Sequence, residues 1–316
     1  MRGSPRPAGF VPGGFCVFMK EIIKTYLEWK GTYAPRAAIN YKVWLYRFVE
    51  VCQEKRVEDY TITDFINYRK WLETRYNPYT VQFATIVLKN FFMFCKNQNM
   101  ACLNPALIKL HRIMAKSHRA VTEKEYQLIL TTISNQGHDK FRTLRDSIMI
   151  RMLWDTGVRV SELTDLELSQ FDENKRSTVI KTKKTGYPRT IVWSEKTHEL
   201  LKRYISLRLN RSASKCSSAL FIGWKNGIGW TMRITPRSVE RILKEYVQMA
   251  DIKEKLSPHS FRHGWAHKRR DQNAPLAFIQ RGLGHISPMS TFVYEQYKDT
   301  DFELKASSYL NETHQP

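Results

Sequence analysis

The chain has 316 residues, and its 51 Lys and Arg against 30 Asp and Glu give a formal net charge of +21. Apolar residues make up 42% of it, a share that excludes a wholly disordered chain and allows cores of ordinary size, most simply in two domains. The excess of positive charge, spread through folded-looking segments, indicates a polyanionic partner such as nucleic acid. A generically solvated basic surface is the alternative explanation.

The cysteines and the first residues indicate the compartment and the start of the fold. The five cysteines are Cys16, Cys52, Cys95, Cys102 and Cys216. Their number is odd, their spacing fits no zinc motif, and no secretory signal precedes them, so we expect reduced thiols and a cytoplasmic protein. No apolar run is long enough to span a membrane. Residues 1–18 are rich in Gly and Pro, and we expect a disordered extension there.

Residues 19–108 have a helical pattern throughout, which fits four or five helices. One helix face is formed by Tyr41, Trp44, Leu45 and Phe48. Thr61 and Asp64 resemble a capping box in which Asp replaces the usual Glu. We expect Asn104, followed by Pro105, to end the last helix.

Residues 109–120 read as a linker, and its basic side chains are Lys109, Arg112, Lys116 and Arg119. Contacts to DNA phosphates and ordinary solvation explain these charges equally well. A second domain follows over residues 121–300, with a tail at 301–316. It opens with a capping box from Thr122 to Glu125.

The second domain is predicted to be helical with one hairpin. A helix over 141–156 ends at Gly157, which has the usual position of a C-terminal cap. The segments 177–181 and 189–193 flank a Gly-Pro turn signal and predict a β-hairpin. Helical patterns cover 195–209, 236–249 and 259–270.

Four short segments of this domain carry residues suited to phosphoryl transfer. They are TGVRVSEL, KKTGYPRTIVW, SPHSFRHGWAH and LGHISPMSTFVYEQY. Arg159 and Arg262 offer planar, permanently charged forks that match a phosphodiester. Phosphoryl transfer depends above all on positioning and charge stabilisation, so two such forks are informative together.

The remaining residues of these segments supply proton transfer and a nucleophile. Lys184 is a proton donor at a hairpin tip, and His259 exchanges protons near neutral pH. Tyr294 carries a hydroxyl that can attack phosphorus and later leave as a phenolate. Any one of these residues alone is explained as well by packing, capping or solvation, so the prediction depends on the whole set.

The four segments resemble the conserved boxes of the tyrosine recombinase (phage integrase) family, in the family's order. TGVRVSEL resembles its first arginine box, HSFRH its His-x-x-Arg-His pattern, and LGH with a Tyr nine residues after the His its last box. In the hairpin, Lys184 precedes Arg189 by five residues, as the family's catalytic lysine precedes an arginine. The resemblance covers about residues 20–300. Trp193 and Ser194 depart from the family's usual Val-Pro-Leu exit.

The resemblance implies a role for each residue that would surround the phosphate. Arg159 and Arg262 would bind the scissile phosphate, and His285 would hydrogen-bond to it. Glu162 matches an acidic position that supports the site structurally. His263 matches an accessory position.

The resemblance also implies the roles in proton transfer and attack. Lys184 would protonate the leaving 5′ oxygen, His259 would act as a general base, and Tyr294 would form a 3′-phosphotyrosyl bond. Tyr297, one helical turn further on, is the rival nucleophile, although the spacing from His285 favours Tyr294. The lysine assignment is less secure, because positions 181 and 183 are also lysines.

The resemblance implies no metal and no nucleotide or other cofactor, because a phosphotyrosyl bond conserves the bond energy. A zinc site on His259, His263 and His267 is the alternative, since these residues share a helix face. No Glu separates the first two histidines as in a metalloprotease motif, and Arg262 would repel a metal ion.

The expected fold class is mainly α with a small antiparallel β-sheet, a helical (SAM-like) core-binding domain being followed by the tyrosine recombinase catalytic domain. The implied partners are double-stranded DNA with inverted-repeat sites and a homo-tetramer, or a related recombinase, in the synaptic complex. No membrane partner is implied. Residues 301–316 are expected to dock onto a neighbouring protomer. A type IB topoisomerase and a catalytically silent DNA-binding protein remain as alternatives.

Overall fold

The structure is a computed structural model that describes residues 18–110, 113, 119–137, 139–181, 188–210, 217–225 and 229–285. The chain divides into two compact units, Met1–Lys116 and Ser117–Pro316. No helix in the described ranges is both long and apolar enough to cross a membrane.

The first unit is helical in its described part. Its α-helices are α1 (Met19–Tyr33), α2 (Pro35–Cys52), α3 (Ile62–Glu73) and α4 (Pro78–Asn97), and its short 3-10 turns are Val57–Asp59 and Pro105–Leu107. The aromatic stripe predicted on α2 does form core, with Leu45 and Phe48 fully buried. The predicted capping box is present at α3, where Thr61 and Asp64 each accept a backbone N–H from the other.

The end of α4 differs from the prediction. The helix stops at Asn97, seven residues before Asn104. Asn99 has the left-handed φ of 59°, a conformation that Asn tolerates and that interrupts a helix. Asn104 instead caps the following 3-10 turn by accepting the backbone N–H of Ala106.

The second unit contains helices and two small antiparallel hairpins. Its helices are α5 (Glu123–Asn135), α6 (Lys140–Thr156), α7 (Val160–Thr164), α8 (Glu195–Leu209), α9 (Pro236–Met249), α10 (Pro258–Asp271) and α11 (Leu276–Leu283). Its strands are β1 (Ser177–Lys181), β2 (Pro188–Val192), β3 (Ile222–Lys225) and β4 (Gly229–Arg233). The capping box predicted at Thr122 and Glu125 opens α5.

Helix α6 lies at the centre of the second unit. Buried residues cover all its sides, among them Phe141, Ile148, Met149 and Leu153. A helix that is buried on all sides must be enclosed by other elements, and α6 contacts α5, α8 and α10. It ends where predicted, because Gly157 adopts the left-handed φ of 61°.

The predicted hairpin is formed by β1 and β2, which pair Ile180 with Arg189 and Val179 with Thr190. Arg189 and Ile191 alternate with exposed residues on β2, so the arginine points to the same side as the core. The hairpin of β3 and β4 was not predicted. Glycines at 223 and 229 interrupt its apolar alternation in the sequence.

Substitution of Gly157 by Ala should destabilise the second unit more than the same substitution of Gly137. Both glycines have a φ of 61°, but a Cβ at Gly157 would lie 3.0 Å from Trp265 Cγ, whereas a Cβ at Gly137 would meet nothing within 4 Å. Gly137→Ala is expected to cost about 1 kcal/mol through the backbone alone. Gly157→Ala is expected to cost about 1–3 kcal/mol more, through crowding. Urea unfolding measures the loss of stability in both variants. Equal losses would show that the Trp265 ring does not restrict position 157.

Candidate active site

Glu162 holds the first arginine of the site through both its backbone and its side chain. Arg159 occupies the N-cap position of α7, and its backbone N–H donates to Glu162 Oε2 at 2.8 Å. The Arg159 side chain also donates from Nη1 to Glu162 Oε1 at 2.9 Å. The carboxylate therefore caps α7 and fixes the arginine at its start.

Glu162 also binds an arginine from the hairpin. Arg189 Nη2 donates to Glu162 Oε2 at 2.6 Å, and Arg189 Nη1 donates to the carbonyl of Gly282 at 3.0 Å. Both side chains of this ion pair are almost completely buried. Burial opposes ionisation of Glu162, but the charges of Arg189 and Arg159 and their hydrogen bonds outweigh it and lower its pKa.

Arg262 is held by backbone carbonyls. It lies on α10, which Ser257 caps and Pro258 begins. Its buried side chain donates from Nη1 to the carbonyl of Gly157 at 2.8 Å and from Nη2 to the carbonyl of Leu283. One guanidinium thus joins the loop that follows α6 to the end of α11.

His285 follows directly after α11. Gly284 ends this helix with a φ of 63°, and the backbone N–H of His285 donates to the carbonyl of Gln280 at 3.1 Å. The pKa of His285 is lowered to about 4, first by burial and then by the positive charges of Arg262, Arg159 and Arg189, with a smaller contribution from His259. The imidazole is therefore neutral at pH 7.

His259 and His263 lie one turn apart on α10. Their rings meet edge to face with centroids 4.8 Å apart; His259 is exposed and His263 is buried. Burial, and then the charge of Arg270, lowers the pKa of His267. In the described ranges, no three His, Cys, Asp or Glu side chains are arranged to hold a metal ion.

The structure brings four of the predicted site residues together. Arg159, Arg262 and His259 all act on the pKa of His285. Lys184 and Tyr294, with the rival Tyr297, lie outside the described residues, so their placement stays a prediction.

Sequence reasoning missed two features around this site. Arg189 was noted only for its spacing from the lysine; its alternation with Ile191 on β2 indicates an inward side chain but does not identify its partners. The carbonyls that hold the guanidiniums leave no side-chain signal.

In the linker, Arg119 ion-pairs with Glu125 and lies 3.8 Å from Glu254, so these carboxylates account for its charge without a phosphate.

Substitution of Glu162 by Gln should strongly destabilise the second unit. Removing one partner of a buried ion pair leaves the other charge uncompensated, at a cost of about 3–5 kcal/mol. Glu245→Gln is the control; it breaks a partly exposed pair with Arg241 and should cost under about 1 kcal/mol. Because the folded pKa of Glu162 is depressed, its contribution exists above about pH 4.5 and disappears as the pH falls below that value. Urea unfolding at pH 7 and pH 4 tests this, and similar losses for both variants would contradict it.

His285 should titrate near pH 4 in NMR spectra of the histidine-labelled protein. Arg159→Gln removes one neighbouring positive charge and should raise this pKa, whereas Arg241→Gln on α9 should leave it unchanged. The unfolded imidazole takes up a proton near pH 6.5, before the folded one does, so His285 should make the protein less stable as the pH falls from about 6.5 to 4. A titration near pH 6.5 would show that the arginines do not surround it.

The chain is similar to known proteins in sequence and in fold. Residues 119–301 match the model of the phage integrase family. Tyrosine recombinase XerC of Thermodesulfovibrio yellowstonii is 35% identical over 161 residues, which are 49% of this chain and 51% of that protein. Tyrosine recombinase XerA of Pyrococcus furiosus is 30% identical over 175 residues, 55% of this chain and 56% of that protein. The chain thus matches only about half the length of these curated relatives.

Solved structures share the fold. XerH site-specific recombinase bound to difH substrate matches with a TM-score of 0.70 and 18% identity, over 91% of this chain and 83% of that one. A lambda integrase tetramer bound to a Holliday junction matches with a TM-score of 0.69 and 13% identity, over 90% and 80%. The predicted fold class, mainly α with small antiparallel sheets, is confirmed. The family match covers more than half of the sequence, and the chain belongs to the phage integrase family.

Proposed function

We propose that this protein is a tyrosine-type site-specific DNA recombinase, which cleaves and rejoins DNA strands through a 3′-phosphotyrosyl bond to Tyr294. The observation that carries the proposal is the cluster of Arg159, Arg189 and Arg262, whose positive charges all act on a neutral, partly buried His285. Arg159 and Arg189 both bind one buried carboxylate, Glu162, and Arg262 adds a third positive charge, so the cluster has the charge that a phosphodiester needs.

The cluster of arginines around His285 can stabilise a phosphoryl-transfer transition state. Negative charge grows on the non-bridging oxygens as the nucleophile attacks, and donors that are already oriented stabilise it without reorganisation. Arg262 is oriented by two carbonyls and Arg159 by Glu162. A neutral His285 donates one hydrogen bond to the phosphate without adding to the repulsion between the guanidiniums.

The predicted residues account for each bond and each proton of the proposed cleavage step. The Tyr294 oxygen attacks phosphorus, the bond between phosphorus and the 5′ oxygen breaks, and a phosphotyrosyl bond forms. His259, which is exposed, accepts the phenol proton, and Lys184 donates a proton to the 5′ oxygen. Attack by a 5′ hydroxyl of another strand reverses the step. One ester replaces another, so the proposal includes no ATP, no metal and no other cofactor.

The proposed substrate is double-stranded DNA with inverted-repeat sites, and the proposed assembly is a tetramer of this chain or of this chain with a related recombinase. The net charge of +21 supports binding to a polyanion. The solved relatives include a recombinase bound to its DNA substrate and an integrase tetramer on a Holliday junction. Action on chromosomal DNA would place the protein in the cytoplasm, at the nucleoid.

Each part of the chain has a proposed role in DNA binding, catalysis or assembly. Residues 19–108 would form the core-binding domain and residues 121–300 the catalytic domain, with 109–120 crossing the duplex as a linker. Residues 1–18 would be an extension, and the tail 301–316 would dock onto a neighbouring protomer. The division into two units between Lys116 and Ser117 supports this arrangement.

A nicked suicide substrate tests the proposed function directly. DNA carrying the inverted repeats that flank the gene, with a nick beside the cleavage position, should trap a covalent adduct with wild-type protein, because the released fragment diffuses away. Tyr294→Phe should abolish the adduct and Tyr297→Phe should retain it. The adduct is measured on denaturing gels and the modified residue by mass spectrometry.

Other outcomes would replace the proposal. Site-specific binding by the wild type without any adduct would favour the silent DNA-binding protein. Relaxation of supercoiled DNA without a specific site would favour the topoisomerase. Loss of the adduct only in Tyr297→Phe would identify Tyr297 as the nucleophile.

A further inference from the structure

Trp265 lies on α10, one helical turn beyond Arg262, and its indole ring sits against two glycines. A Cβ at Gly157 would lie 3.0 Å from Trp265 Cγ, and a Cβ at Gly282 would overlap Cη2 at the far edge of the ring. The ring is 6% exposed. It therefore occupies space that stays open because neither position carries a side chain, one just after α6 and the other within α11.

These two glycines belong to the backbone that holds the arginines. The carbonyl of Gly157 accepts from Arg262, and the carbonyl of Gly282 accepts from Arg189. The next residue, Leu283, gives the second carbonyl to Arg262. The ring thus separates the two backbone segments whose oxygens orient the guanidiniums.

The position of the ring is itself determined by specific contacts. The indole N–H donates to the carbonyl of Asp155 at 2.8 Å, which attaches the ring to the end of α6. Phe278 of α11 stacks on it with an interplanar angle of 19°, and the Arg269 guanidinium lies 5.4 Å from its centroid. A buried ring with these contacts has little freedom to move.

We propose that Trp265 is a positioning residue for phosphate binding, which sets the separation between the Gly157 and Gly282 backbones and so the orientation of Arg262 and Arg189. The proposal rests on the proposed function. Trp265 acts through the arginines, because its one hydrogen bond in the described structure goes to Asp155. A core tryptophan with no such role would contribute to stability alone.

Substitution of Trp265 by Phe separates these two roles. Phe keeps an aromatic ring but lacks the N–H and the far edge of the indole. Trp193→Phe is the matched control, because Trp193 is 4% exposed and its indole N–H donates to His198 Nδ1 at 3.3 Å. Each variant loses the same atoms and one hydrogen bond from a buried site, so urea unfolding should show similar losses of stability.

Only Trp265→Phe, and not the control Trp193→Phe, should affect the site. Trp265→Phe should raise the pKa of His285 in NMR titrations, because Arg262, Arg159, Arg189 and His259 all face this imidazole and lower its pKa, as does its burial. Adduct formation at saturating suicide substrate should slow by about 10- to 100-fold, as expected for arginines misplaced by about 1 Å. The dissociation constant for intact DNA should change by less than about threefold. Trp193→Phe should change none of these three quantities.

Moving bulk from position 265 to position 282 should partly rescue the rate of adduct formation. Gly282→Ala alone should slow adduct formation, because the new methyl group overlaps the indole. Combined with Trp265→Phe it should restore part of the rate and return the pKa of His285 toward the wild-type value, because the methyl group fills the space that the indole edge left. Additive losses in the double variant, or a His285 pKa that Trp265→Phe does not change, would overturn the inference.

The two proposals can fail separately. The pKa of His285 and its rescue are measured on the free protein, and they decide whether Trp265 positions the arginines. If wild-type protein forms no adduct, the proposed function fails whatever these pKa values are. If the adduct forms but the pKa does not respond, only the role of Trp265 fails.

Discussion

Three guanidinium groups, those of Arg159, Arg189 and Arg262, lie around His285 and repel one another, and contacts within the second unit hold them there. Glu162 offsets part of the repulsion by binding Arg159 and Arg189 together. Arg262 is held by the carbonyls of Gly157 and Leu283. Burial, and then the charges of these arginines, lowers the pKa of His285. Under the proposed function, the positive charge that Glu162 does not offset binds the phosphate.

Each helix end in this region contributes to that arrangement. Helices α6 and α11 are each followed by a glycine with a left-handed φ, Gly157 and Gly284, so the chain turns sharply there. The carbonyls of Gly157 and Leu283 accept hydrogen bonds from Arg262. Helix α10 brings the arginine that uses those carbonyls. The catalytic chemistry proposed here therefore depends on how three helices stop and start, with the hairpin supplying one further charge.

Much of this was predictable, because the signals are local. Periodicity predicted α8 and α9 with the bounds observed, and the capping boxes at Thr61 and Thr122 were read from two residues each. The partnership of Arg189 was not predictable in this way, because its carboxylate partner lies 27 residues away and its carbonyl partner 93 residues away. The hairpin of β3 and β4 was not predicted because glycines interrupt the alternation of its apolar residues. Helix α4 ends earlier than predicted because Asn99 can adopt a positive φ.

The use of backbone carbonyls to hold Arg262 bears on how the site tolerates sequence drift. Every residue type presents the same carbonyl oxygen, so the segments around Gly157 and Leu283 can exchange many side chains and still orient the guanidinium. A change in loop length is different, because it moves the oxygens themselves. Insertions and deletions next to α6 and α11 should therefore be rarer among functional relatives than substitutions at the same places.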